Sequence, residues 1–141
     1  MADKQIYEHK IQYYETDQMK IVHHSNYIRW FEEARVFWLE AIDCGYDKME
    51  ALGIISPVLG VTAEYKSMSR FAETVQIETE LTAYNGIKFS IAYTIRDKAT
   101  GTVRCTGESR HCFLDEQGRP VSLKRTHPEI HDIFVKMNNI S

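Results

Sequence analysis

One stretch of this chain limits its fold more than any other. From Asn26 to about Cys44, Tyr27, Phe31, Ala34, Trp38 and Ala41 recur at helical spacing. Ile28, Val36, Phe37, Leu39 and Ile42 extend the apolar surface well beyond one stripe. A helix of about 19 residues rises roughly 28 Å, about the width of a small domain. One that is apolar over most of its circumference has to be enclosed, so the rest of the chain must supply a wrapping layer.

The flanking segments have the period of strands. Before the helix, Ile6 to Tyr14 alternates, with Tyr7, His9, Ile11 and Tyr13 on one face. Ser25 or Asn26 is the expected helix cap, and Gly45 the expected stop. Asp47 with Glu50 predicts a short second helix closing at Gly53. Ile54 to Leu114 then reads as sheet. Leu59, Val61, Ala63 and Tyr65 share one face, and Val75, Ile77, Thr79, Leu81 and Ala83 share the next. Asn85-Gly86 predicts a type I′ hairpin into the alternating Phe89, Ile91, Tyr93 and Ile95. Asp97 to Thr102, with Gly101, turns into Val103 to Leu114, and Asp115 to Pro120 is a loop. Thr126 with Glu129 predicts a capping box for a terminal helix carrying Ile130, Ile133, Phe134 and Met137 inward. A one-faced antiparallel sheet and a single apolar helix predict an α+β architecture in which the sheet curls around the helix.

The length of 141 residues, 43% of them hydrophobic, suits one domain over 1–141 with a core that needs no disulfides. A formal net charge of −3 gives no electrostatic case for nucleic acid or an anionic membrane. Cys44, Cys105 and Cys112 form an odd set without metal or redox spacing, which fits a reducing cytosol. Met1-Ala2-Asp3-Lys4-Gln5 lacks a secretory apolar region, and no run approaches the roughly 20 apolar residues of a membrane span. The expectation is a soluble, cytoplasmic protein.

The chemistry concentrates just before the long helix, in Tyr13-Tyr14-Glu15-Thr16-Asp17-Gln18-Met19-Lys20-Ile21-Val22-His23-His24-Ser25-Asn26-Tyr27. A helix start offers unpaired N–H groups and a partial positive charge. A carboxylate beside it can attack a carbonyl polarised by those N–H groups, or deprotonate water for that attack. That pairing points to acyl transfer, although spacing alone leaves Asp17 equally readable as a turn aspartate binding local N–H groups. The chain has no phosphate-binding loop, dinucleotide fingerprint, nucleophile elbow or Cys–His pattern. His127 and His131, four apart without a third ligand, read as surface histidines, so no metal or cofactor is expected.

The string Thr16-Asp17-x-x-Lys20-Ile21-Val22-His23-His24-Ser25-Asn26-Tyr27, continued by Trp30-Phe31-Glu32-x-Ala34-Arg35, resembles hotdog-fold acyl-CoA thioesterases. The nearest group is the 4-hydroxybenzoyl-CoA thioesterase-like family of the YbgC type, whose pattern is T-D-x-x-G-[IV]-V-[HYW]-[HYP]-x-N-Y followed by W-F-E-x-A-R. The resemblance covers about residues 6 to 115. A weaker part lies in Tyr65 to Val75, where relatives tend to read Y-x-x-P-A-R-[FY]-[GD]-D-x-V. Lys20 stands where the family usually has Gly, Met68 where it often has Pro, and Glu73 where it often has Asp.

The resemblance implies a hotdog fold and hydrolysis of an acyl-CoA thioester to free CoA and a carboxylic acid. It assigns the catalytic carboxylate to Asp17, as nucleophile or general base, and a functional histidine to His24, whose backbone N–H polarises the carbonyl. Tyr13 aligns with an active-site tyrosine, or is a core aromatic. Asn26 and Tyr27 shape the site, and Ser56, Pro57 and Val58 begin a strand that lines the acyl pocket in relatives, often across a dimer interface. Lys66, Arg70 and Lys88 are cations suited to CoA phosphates. His23 reads as structural, and Arg35, on the enclosed helix, is expected to pair with a neighbouring carboxylate. Relatives assemble as homodimers or homotetramers. The rival readings are an acyl-ACP thioesterase, a hotdog dehydratase and a non-catalytic acyl-thioester binding protein.

Overall fold

The computed structural model describes residues 5–140, with side chains as far as Asn138, so the reading of Met1 to Lys4 lies outside the described residues. Strand β1 (Gln5–Lys10) leads through a 3₁₀ turn at Tyr13–Glu15 to helix α1 (Ser25–Ala41), and α2 (Tyr46–Ala51) follows. Four strands come next: β2 (Val58–Tyr65), β3 (Thr74–Tyr84), β4 (Lys88–Asp97) and β5 (Val103–Cys112). Helices α3 (Leu123–Thr126) and α4 (Pro128–Ile140) close the chain.

Among the described residues the strands form one antiparallel sheet in the order β1-β3-β4-β5-β2. β1 and β2 are its two edges, and α1 packs against both of them as well as against β3. A helix that touches both edges of one sheet has that sheet curved around it. This is the α+β arrangement that the helix and strand periods predict, with α1 as its central helix, and the hotdog fold that the motif resemblance implies.

The core lies between α1 and the concave face. Tyr27, Trp30, Phe31, Ala34, Trp38 and Leu39 meet Val75, Ile77 and Leu81 of β3 and Phe89, Ile91, Tyr93 and Ile95 of β4, all buried. Phe31 stacks on Tyr93 with ring centroids 4.4 Å apart and planes 10° from parallel. The same ring lies over Gly107, where a Cβ would run into it and into the Thr62 carbonyl. Close approach, not flexibility, requires a glycine in that strand.

Several local expectations change. α1 ends at Ala41, not at Gly45. The Asp43 N–H donates to the Glu40 carbonyl and the Cys44 N–H to that of Leu39, with Asp43 at φ 66°. This is a Schellman closure in which aspartate takes the left-handed position, and Gly45 instead precedes α2 as its cap. Ser25 and Asn26 lie inside α1, which opens from His24 without a side-chain cap, and Asp47 lies in the first turn of α2. Enclosure by the chain is also one-sided: Ile28 and Phe37 are each 40% exposed. The apolar residues of β2 are likewise open, with Leu59, Val61 and Tyr65 at 45%, 37% and 48%.

In the β3–β4 hairpin only Gly86 has positive φ, at 93°, so Gly86-Ile87 has the φ pattern of a type II′ turn. The Asn85 carboxamide oxygen accepts the Ile87 and Lys88 N–H groups and replaces the expected Asn-Gly geometry. The register also slips between Leu81 and Ala83, which leaves Ala83 exposed. At the C-terminus, Pro128 occupies the first position of α4, where its missing N–H is harmless, and the Thr126–Glu129 box does not form a cap.

Candidate active site

The segment between β1 and α1 is a small hairpin. Thr16 bridges to Val22, the Asp17 N–H donates to the Ile21 carbonyl at 2.9 Å, and the Lys20 N–H returns to the Asp17 carbonyl at 2.9 Å. Lys20 has φ 68°, a left-handed conformation that costs an L-residue about 1 kcal/mol. The glycine that the family pattern carries at this position has a steric reason. Ala72, at φ 73°, makes the same departure in the Tyr65 to Val75 segment.

The hairpin holds Asp17 half-buried. Its Oδ1 accepts the Met19 N–H at 2.8 Å, which orients the carboxylate, and Oδ2 meets no protein donor among the described residues. Asp17 and His24 line one cleft of about 440 Å³ together with Tyr27, Tyr65, Lys66 and Met68. His24 stands immediately before α1. Among the described residues its backbone N–H donates to no protein acceptor, whereas the His23 N–H is taken by the Glu15 carbonyl and the Ser25 N–H by His23 Nδ1. Rings line the cleft: His24 lies edge-on to Tyr65 at 6.1 Å, and Tyr65 lies 5.4 Å from Tyr27. The Tyr27 hydroxyl donates to Ser69 Oγ at 3.2 Å, and burial holds its pKa above the ordinary tyrosine value.

Behind the cleft stands a residue to which the sequence reading gave no role. Glu15 is 4% exposed. Its Oε1 accepts the Gln12 N–H at 2.8 Å and lies 2.8 Å from His9 Nε2, and its Oε2 accepts the Trp30 indole N–H at 2.8 Å. The Glu15 backbone carbonyl accepts both the His23 N–H and the Asn26 carboxamide at 2.9 Å. Burial pushes the carboxyl pKa up, but the hydrogen bonds from Gln12, His9 and Trp30 together bring it below its ordinary value. His9 also lies 3.3 Å from Glu33, which accepts the Tyr7 hydroxyl. A signal for this was present: Asn26 and Trp30 are one helical turn apart and face the same way.

The remaining expected residues do not join this cleft within the chain. β1 stops at Lys10, so strand alternation does not reach Tyr13, which sits on the 3₁₀ turn, 76% exposed, edge-on to Phe71 at 5.6 Å. Asn26 is buried behind the cleft on the Glu15 and His23 carbonyls. Arg70 is exposed beside its bridge to Ile21, and Lys88 lies at the start of β4 in a separate depression with Tyr84 and Asn85. Ser56 and Pro57 precede β2, whose Val58 pairs with His111.

Arg35 is buried, but its partners are hydroxyls and not the expected carboxylate. Nε donates to Tyr46 at 2.9 Å and Nη1 to Tyr93 at 3.0 Å. The Tyr93 hydroxyl continues to Ser109 Oγ at 2.6 Å and thence to His111 Nε2 at 2.7 Å. Burial, with the Arg35 charge adding to it, lowers the His111 pKa to about 4. His127 and His131 are not merely solvated: His127 Nε2 lies 3.2 Å from the Leu52 carbonyl and His131 Nδ1 2.7 Å from the Tyr84 hydroxyl.

Residues 11–134 match the thioesterase-like superfamily. The chain belongs to that superfamily. The enzyme class, thioester hydrolase, follows from relatives and a solved structure that carry that name. YneP of Bacillus subtilis (strain 168) is 32% identical over 130 residues, which cover 92% of this chain and 94% of YneP. The acyl-CoA thioester hydrolase YbgC of Escherichia coli O157:H7 is 28% identical over 87 residues, covering 62% of this chain and 63% of YbgC. Among solved structures, the DHNA-CoA thioesterase of Staphylococcus aureus superposes with a TM-score of 0.91 at 30% identity, covering 97% of this chain and 92% of that one. Among the described residues no helix is long and apolar enough to cross a membrane.

Proposed function

We propose that this chain hydrolyses an acyl-CoA thioester to free CoA and a carboxylic acid. One observation carries the reading: Asp17 and His24 line the same cleft at a helix start, and a carboxylate oxygen of the first and the backbone N–H of the second have no protein partner among the described residues. The thioester carbonyl oxygen accepts the His24 N–H, and the partial positive charge of α1 steadies the oxyanion. Asp17 then acts in one of two balanced ways. As nucleophile it forms an acyl anhydride and expels CoA thiolate, and water cleaves the anhydride. As general base it takes a proton from water, whose oxygen attacks the carbonyl directly.

The rest of the cleft suits the substrate's other parts. Lys66 is a cation at its wall for CoA phosphate. Tyr27, Tyr65 and Met68 line the cleft with two aromatic rings and a thioether, which favours a planar aromatic acid, and the similarity to a DHNA-CoA thioesterase supports the same class. Tyr13, outside the cleft within the chain, takes no step in the chemistry. Edge strand β2, with Val58, Leu59, Val61 and Tyr65 open, is suited to pairing with a second copy. In such a dimer, and in a tetramer built from it, Ser56, Pro57 and Val58 of one subunit, with Arg70 and Lys88, complete the site of another. The whole chain acts as one cytoplasmic domain without a cofactor.

A thiol-release screen tests the reading, using aromatic, short and long acyl-CoAs beside the same acyl groups on acyl carrier protein. Release of free CoA, fastest from an aromatic thioester, is expected. Turnover of carrier-protein thioesters alone, hydration of enoyl-CoA without thiol release, or binding without turnover each overturns it in favour of the corresponding rival.

A further inference from the structure

We infer that Glu15 is a positioning residue that sets the separation between the Asp17 carboxylate and the His24 N–H; this rests on the reading of Asp17 as the reacting carboxylate.

Asp17 and His24 belong to opposite ends of the hairpin between β1 and α1, and Glu15 fastens both ends. Its position, two residues before Asp17, ties the outgoing side directly. Its carbonyl, accepting the His23 N–H and the Asn26 carboxamide, ties the returning side and the first turn of α1. Its carboxylate then fixes the assembly to the rest of the fold, through His9 on β1 and Trp30 one turn into α1. The Thr16–Val22 bridge closes the loop above this anchor. His9 supports the same junction from β1, through Glu15 at 2.8 Å and Glu33 of α1 at 3.3 Å, but Glu15 alone of the two also binds the hairpin's returning strand through its carbonyl.

The anchor needs a carboxylate. Donors from Gln12, His9 and Trp30 converge on two buried oxygens. A glutamine offers one oxygen and one NH₂, so in either orientation the NH₂ faces an N–H that has no other acceptor. The relief available to the chain is to shift the hairpin, and a displacement of about 1 Å at a reacting group is enough to cost on the order of a hundredfold in rate.

The test is steady-state kinetics of Glu15→Gln on the best acyl-CoA substrate, with kcat expressed per folded molecule from circular dichroism. The expected result is a fall in kcat of at least about tenfold with KM within about twofold, because the cleft walls at Tyr65, Lys66 and Met68 come from elements that Glu15 does not touch. A purely structural role would lower the folded fraction and leave kcat per folded molecule unchanged, and that result overturns the inference. If Glu15→Gln fails to fold, Asn26→Ser, which removes one donor from the Glu15 carbonyl, is judged on the same kcat–KM split. Asp17→Asn runs in parallel. Retained turnover in Asp17→Asn sinks the underlying reading, whereas lost turnover there with normal kcat in Glu15→Gln sinks this inference alone.

Discussion

Arg35 Nη1 donates to the Tyr93 hydroxyl at 3.0 Å, so a buried guanidinium is held by neutral oxygen atoms and by no carboxylate among the described residues. A buried charge without an opposite charge is tolerable only while its hydrogen bonds are made. Tyr93→Phe keeps the ring that stacks on Phe31 but removes the acceptor for Arg35 and the link to Ser109. It is expected to destabilise the fold by about 2 kcal/mol, read from the urea midpoint at constant slope. An unchanged midpoint would mean that Arg35 finds its stabilisation elsewhere.

The same run of side chains ends at His111, and this gives a pH dependence with a definite sign. The unfolded chain protonates this imidazole near 6.5, the folded protein only near about 4. Between those values unfolding takes up a proton. The His111 contribution is therefore complete above about pH 6.5 and is lost as pH falls towards about 4, a change of about 3 kcal/mol. The groups facing His111 are Arg35, the Ser109 hydroxyl, the Phe89 ring and the Pro57 backbone carbonyl, none of which titrates in that range. Urea titrations at pH 7, 5.5 and 4.5 should show the decline, and His111→Asn should show a flatter one. Parallel slopes for the two proteins would contradict the assignment.

Lys20 occupies a left-handed position for which a side chain is unsuited. Lys20→Gly removes that strain and adds some unfolded-state entropy, for a net stabilisation of about 0.5–1 kcal/mol. The thermal midpoint should rise and turnover should stay near wild type, because the Asp17–Met19 contact does not involve the Lys20 side chain. A lowered midpoint would mean that the lysine makes a compensating contact.

Much of the fold was legible because period alone separates α1 from the strands. What was not legible came from local closures with several solutions. Asp43 replaced glycine at the end of α1, and Asn85 used its side chain where a mirror-image turn was expected. The open apolar residues of α1 and β2 misled in another way, since hydrophobicity predicts burial without saying which chain provides it. In the candidate site, the neighbourhood of Asp17 and His24 in one cleft was legible because a motif and a helix start coincide. Tyr13 was misplaced because β1 stops at Lys10, three residues before it. Glu15 escaped notice because its importance lies in five converging hydrogen bonds, which no spacing rule records.

The proposed chemistry depends on Asp17 reacting with a thioester whose carbonyl is held at the His24 N–H. The direct measurement is free-thiol release by Asp17→Asn against wild type on the best acyl-CoA substrate, with folding checked by circular dichroism. The expected result is a folded variant whose kcat falls by more than about tenfold. A folded Asp17→Asn protein with wild-type turnover would contradict it.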